Sequence, residues 1–230
     1  VTENQSDIYG QIAVQGPEAE AVVEEVLGLA CKELEFYTFK TIALPEETLI
    51  VSRTGYTGED GFEIYGSHAY ICAAWDKLQE SGRAKACGLG CRDTLRFEVG
   101  LPLYGDELSE EISPIMAGLG MFVKLDKADF IGKEAVAAQK ANGVSRKLIG
   151  IELEARAIPR HGYEVVDAEG NTIGEVTTGY CSISTGKSVC MALVDAAHAA
   201  LGTAVGIKIH RKVQPGTVVK KRFYQKHYKK

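Results

Sequence analysis

Residues 52–65 read "SRTGYTGEDGFEIY" and set three glycines (Gly55, Gly58, Gly61) and three carboxylates (Glu59, Asp60, Glu63) between two apolar runs. The flanking runs "TLIVSRT" and "GFEIYGS" have the composition and alternation of strands, so the stretch is expected to form a hairpin. Glycines at such a turn supply positive φ and let other groups approach the backbone. Their spacing resembles a phosphate cradle, but three carboxylates would repel a phosphate. Glu59 and Asp60, at the tip, are expected to be solvated. Glu63 lies inside the second strand and alternates with Phe62 and Ile64, so it points to the opposite face. If that face lines a pocket, its two acceptor oxygens suit a ligand edge with neighbouring N–H donors, such as a purine or pterin with a 2-amino-4-oxo pattern.

Working outward, "IYGQIAVQG" reads as a strand. It runs into a helix over "PEAEAVVEEVLGL", with Pro17 in the first turn and Ala21, Val22, Val26 and Leu29 on one face. "FYTFKTIAL" is a further strand. After the hairpin, "SHAYICAAWDKLQESG" is an amphipathic helix with Ser67 as its N-cap. "GLGCRDTLRFEVG" is another, stopped by Gly100 and Pro102. "GLGMFVKLD" is strand-like and "GKEAVAAQKANG" a short helix. From about Arg146 the texture changes to six short strands with almost no helix, split by turn signals such as Gln214-Pro215-Gly216, which suggests a small β-barrel or sandwich. The expected fold class is α+β: a mixed α/β region over residues 1–142 and a β-barrel over 143–230.

The 230-residue chain is 45% hydrophobic, enough to build a real core. No apolar run is long enough to span a membrane. The chain starts without a Met and without a basic, apolar leader, so a fragment or processed form is expected. Net charge is −5, and the last eleven residues, "KKRFYQKHYKK", hold six lysines and arginines and no acid. Without them the balance is 20 basic against 31 acidic residues, and an acidic body argues against nucleic-acid binding. The tail is either a solvated terminus or a contact for an acidic partner. The six cysteines (31, 72, 87, 91, 181 and 190) form no C-x-x-C pair and have no histidine close by for a zinc set. They are expected to be reduced and buried for structural reasons.

Arg92 and Arg96, four apart on a helix, share a face. They either pair with nearby acids such as Asp93 and Glu98, or one of them enters the pocket of Glu63 to orient it or to hold an acidic part of a ligand. No nucleophile elbow, P-loop, metal-binding histidine pair or acid–base pair stands out.

Taken in series, "RTGYTGEDGFEI", "CGLGCRDTLRFEVGLPLYGDEL", "AGLG" with "VKLDKADFIGKEAV", and "IPRHGYEV" with "GEVTTG" resemble the T protein of the glycine cleavage system, the tetrahydrofolate-dependent aminomethyltransferase. The resemblance implies a folate-binding α/β region, here incomplete, followed by a C-terminal β-barrel. It implies tetrahydrofolate as substrate, in some cases polyglutamylated, no metal, and a lipoylated H protein as partner. Folate-contacting positions carry over to Glu63, Arg92 and Tyr228. No catalytic residue carries over. The family's catalytic aspartate, in a D-D-containing stretch, and an asparagine in a V-N-A-like stretch would lie upstream of Val1, and the chain is expected to be inactive alone. Met116 and Met121 stand where relatives often carry a glutamate and an aromatic residue. The implied location is the bacterial cytoplasm, or the mitochondrial matrix in a eukaryote. An alternative is a folate-binding module of a related demethylase, or of an RNA-modification or iron–sulfur assembly factor.

Overall fold

The computed structural model describes residues 2–225. The chain divides into two compact units, one running up to Leu95 and the other spanning Arg96–Gln225. The division falls within a helix, α3 (Leu89–Glu98).

The first unit is built on β1 (Tyr9–Gln15), β2 (Phe39–Ala43), β3 (Thr48–Ser52) and β4 (Gly61–Ser67), with α1 (Ala19–Leu27) and α2 (His68–Glu80) between and after them. The sheet order is β1-β4-β3-β2, every pair antiparallel. One sheet face carries Ile12, Val14, Leu49, Val51, Phe62 and Ile64 into a core closed by Val22, Val23 and Leu78 of the two helices. Phe62 and Ile64 are fully buried, each contributing about 1.5–3 kcal/mol on transfer from water. Their neighbour Glu63 therefore emerges on the other face, as the alternation predicts. The buried stripe of α1 is Ala19, Val22 and Val23, with Leu29 beyond its end. That stripe is rotated from the one the spacing predicts, which includes Ala21 and Val26; both are half-buried. Gly28 closes α1 in a left-handed conformation, φ 70°. Ser67 caps α2 by accepting from the Tyr70 N–H at 3.2 Å.

In the second unit, α4 (Lys133–Asn142) precedes six strands: β5 (Arg146–Leu153), β6 (Glu164–Val166), β7 (Thr172–Cys181), β8 (Ser188–Asp195), β9 (Ala204–Ile209) and β10 (Lys212–Val219). They close into an antiparallel barrel in the order β10-β5-β8-β7-β6-β9. Ile151, Val165, Val176, Cys190, Ala192 and Ile207 fill its interior. The alternate residues of β8, Val189, Met191 and Leu193, pack in a second cluster with Phe97, Ala117 and Leu148, so β8 is buried on both faces.

Two local expectations fail. "GLGMFVKLD" forms no strand; Gly120–Phe122 is one turn of 3-10 helix, with Met121 and Phe122 exposed. An apolar run without a sheet partner has no ladder to join. Gln214-Pro215-Gly216 is not a turn but lies inside β10. Pairing of β10 with β5 begins only at Gly216, so the missing N–H of Pro215 interrupts no ladder on that side.

Candidate functional site

The glycine loop is organised by two residues outside it. Arg53 is 8% exposed, and its Nε and Nη2 donate to both oxygens of Asp60 at 2.9 and 2.6 Å. Its remaining donors reach the Leu34 carbonyl at 3.0 Å and Glu20 at 3.0 Å. The hydrogen bond to Asp60 is the main reason the Arg53 guanidinium is held above its ordinary value. Asp60 is 2% exposed, so its expected solvation is wrong: a buried cation across the loop neutralises it. The second organiser is Gln15 of β1, whose amide donates to the Thr54 carbonyl at 3.0 Å and accepts from Thr57 Oγ1 at 3.2 Å. A Cβ on Gly55 or Gly61 would fall 1.9 or 2.4 Å from this amide. The room those glycines leave is used by Gln15, while Gly58 supplies the positive φ, 77°.

On the open face of the sheet, Glu63 sits beside β1 and is half-buried. Gln11 Nε2 donates to its Oε1 at 2.7 Å, and the Thr54 hydroxyl donates to its Oε2. Ser52 Oγ lies 2.6 Å from Thr54 Oγ1. Both oxygens are thus positioned from within the sheet and retain acceptor capacity for further donors. Arg92, on the exposed early part of α3, holds its guanidinium over the Tyr56 ring at 4.7 Å. Tyr56 belongs to the glycine loop. A cavity of about 780 Å³ is lined by Gln11, Gln15, Tyr56, Glu63 and Arg92, with Ile71, Trp75 and Leu95 supplying apolar wall. It is the size of a small-molecule site, and mostly apolar with a few placed polar groups.

The structure brings together Glu63 and Arg92. Arg96 faces elsewhere. It is fully buried, donates to Glu107 Oε2 at 2.7 Å and to Thr178 Oγ1 at 3.1 Å, and lies 3.6 Å from Asp106. Glu107 also accepts from Thr177 and Thr178, each at 2.6 Å. Consecutive residues of a regular strand point to opposite faces. These two converge on one carboxylate because β7 shifts register against β8 between Val176 and Thr178. Glu98 pairs not with an arginine but with Ser182 Oγ at 2.7 Å, the Ser184 N–H at 3.0 Å and the Ser184 hydroxyl. Burial alone would raise Glu98, but the bonds from Ser184 and Ser182 outweigh it and hold the carboxyl below its ordinary value.

Tyr228 lies outside the described residues. Within the basic tail, Lys221 is not a solvated end: its Nζ donates to the Ala117 carbonyl, and burial lowers it below the usual lysine value. All six cysteines are free, but only Cys31 and Cys190 are buried; Cys72, Cys87 and Cys91 are exposed, against the expectation of structural burial. Burial pushes the Cys31 thiol up to about 12. Among the described residues no group of three or more His, Cys, Asp and Glu stands ready to hold a metal ion, and no helix is long and apolar enough to cross a membrane.

Sequence reasoning missed Arg53, Gln15 and Tyr56. The signal available for Arg53 was an arginine and an aspartate at the two ends of one short loop, a spacing that a bidentate pair can close.

An α/β unit with a carboxylate and an arginine on one cavity wall, followed in the chain by an antiparallel barrel, has the features of a protein that binds a small polar molecule. The GCVT N-terminal domain family model matches residues 1–127, and the glycine cleavage T-protein C-terminal barrel domain matches residues 146–225. An aminomethyltransferase of Caldanaerobacter subterraneus subsp. tengcongensis is 47% identical over 99% of this chain and 62% of its own length. One from Thermoanaerobacter sp. is 48% identical over 99% of this chain and 63% of its own. The crystal structure of the glycine cleavage system aminomethyltransferase T from Bartonella henselae superposes with a TM-score of 0.91 at 34% identity, covering 96% of this chain and 61% of that one. The chain belongs to the glycine cleavage T-protein (aminomethyltransferase) family. It spans a little under two thirds of the length of the curated relatives it matches.

Proposed function

We propose that this chain serves tetrahydrofolate-dependent aminomethyl transfer in the glycine cleavage system, and that the cavity beside β4 takes the pterin end of the folate. The observation that carries the reading is that Glu63 and Arg92 line one cavity. Glu63 accepts from the 2-amino and ring N–H donors of the pterin, and Gln11 and Thr54 keep its carboxylate aimed. Arg92, steadied over Tyr56, meets the polar or acidic part of the same ligand. Tyr228 is proposed as a third contact.

In the whole reaction the lipoylated H protein presents an aminomethyl group, ammonia is released, and tetrahydrofolate accepts the methylene as 5,10-methylenetetrahydrofolate. The part proposed for this chain is binding and orientation of the acceptor. The basic residues from Lys220 onward, the buried Lys221 apart, are proposed to meet an acidic chain, either a polyglutamate tail or the carrier protein. We place the division between folate region and barrel near residue 143, supported by the end of α4 at Asn142 and the start of β5 at Arg146. A bacterial cytoplasmic location is part of the same proposal.

Calorimetric titration with a reduced folate tests the reading. The wild-type chain is expected to bind, and Glu63→Gln to weaken binding at least about tenfold, or 1.4 kcal/mol, with an unchanged circular dichroism spectrum. Equal affinities for the two would remove Glu63 from the site.

A further inference from the structure

Ser52 stands directly opposite Glu63 on the β3–β4 ladder, so the two side chains share the open face of the sheet. Its hydroxyl lies 2.6 Å from Thr54 Oγ1, and either oxygen could donate. The proton count settles the direction. Thr54 has one hydroxyl proton and gives it to Glu63 Oε2, so the proton between Ser52 and Thr54 comes from Ser52. The opposite arrangement would need a protonated Glu63 donating to Thr54, and Thr54 donating to Ser52. The Ser52 proton would then have no acceptor, because Thr54 is its side chain's one hydrogen-bond partner among the described residues. Ser52 is 9% exposed, and a hydroxyl proton left unpaired there is costly. On the other oxygen of Glu63, Gln11 Nε2 also donates inward, at 2.7 Å. The bonds from Ser52, Thr54 and Gln11 thus all run toward Glu63.

We infer that Ser52 is a positioning residue that acts through Thr54 to keep Glu63 an acceptor on both oxygens, and so makes this end of the cavity selective for a ligand edge made only of donors. The choice of ligand rests on the pterin reading above. A 2-amino-4-oxo pteridine in its lactam form offers an amino group beside a ring N–H, two donors for two oxygens. Its 2,4-dioxo counterpart sets a carbonyl oxygen where the amino group stood, and that oxygen meets a carboxylate with no proton to give. A hydroxyl relay able to run either way would let Glu63 take up a proton and accept both ligands. Ser52 prevents this, because its hydrogen has one place to go.

The test compares wild type with Ser52→Ala, Ser52→Thr and Thr54→Val at neutral pH. It uses calorimetry and the side-chain carboxyl 13C signal of Glu63 in glutamate-labelled protein, assigned through its loss in Glu63→Gln. Wild type should prefer the 2-amino-4-oxo pteridine over the 2,4-dioxo one by at least about a hundredfold. Ser52→Ala should narrow that preference about fivefold and move the Glu63 signal with no ligand present. Ser52→Thr, which keeps the hydroxyl, should restore both. Thr54→Val should do at least as much as Ser52→Ala. A Glu63 signal that stays in place in Ser52→Ala, or a preference altered equally by Ser52→Ala and Ser52→Thr, would overturn the inference. A wild type that binds neither pteridine, while the signal still follows the Ser52 hydroxyl, would strike the pterin reading alone and leave the relay standing.

Discussion

Arg53 and Asp60 clasp the two ends of the glycine loop in a bidentate pair, with both groups nearly excluded from solvent. Removing Asp60 takes away two charge-assisted hydrogen bonds and leaves the buried Arg53 cation compensated only by Glu20 at 3.0 Å. Asp60→Ala is therefore expected to lower stability by about 2–3 kcal/mol. Urea unfolding followed by circular dichroism measures it. A midpoint unchanged from wild type would show that the loop does not need its clasp.

Gly61 and Gln15 compete for one space. Gly61→Ala should cost about 1–3 kcal/mol by overpacking, and Gln15→Ala about 1 kcal/mol by loss of its hydrogen bonds. Because a Cβ on Gly61 would land 2.4 Å from the Gln15 amide, the double variant should be less destabilised than the sum. Strict additivity in that cycle would separate the two residues.

Glu107 neutralises Arg96 in the second unit, and both are fully buried. Glu107→Leu is expected to destabilise by about 3–5 kcal/mol. Replacing both partners, Arg96→Met with Glu107→Leu, should recover part of that loss, since neither fully buried charge of the pair is then left facing a lost partner. Denaturant midpoints of the three variants decide the matter.

Glu98 gives a pH dependence whose sign is fixed by its lowered value. A carboxyl held below its ordinary 4.5 in the folded chain adds stability that is present above 4.5 and lost as pH falls through the folded value. Ser184→Ala removes a hydroxyl donor to that carboxylate. The stability gap between wild type and Ser184→Ala should be full at neutral pH and narrow as the pH drops below 4.5. A gap independent of pH would mean the hydroxyl acts by packing alone.

The hairpin and the outward aim of Glu63 are legible in the sequence because both follow from local alternation. The burial of Asp60 is not, since it depends on a cation across the loop rather than on its own neighbours. Spacing correctly puts Arg92 and Arg96 on one helix. It does not say that the early turns of α3 stay exposed while its last residues, Arg96, Phe97 and Glu98, are buried. Pro215 reads as a turn because proline punctuates sequences, yet a strand flanked by a late-starting partner accommodates it. The exposure of Cys87 and Cys91 escapes a rule about average cysteines.

The two units differ in how they end sideways. A closed ring of strands has no outermost member, whereas the four-stranded sheet stops at β1 on one side and β2 on the other. Among the described strands, a foreign one seeking main-chain partners could template on the sheet edges, and not on the barrel while it stays shut. Among the described residues, association through backbone pairing, whether with a partner or with a misfolded copy, thereby falls to the two outer strands β1 and β2.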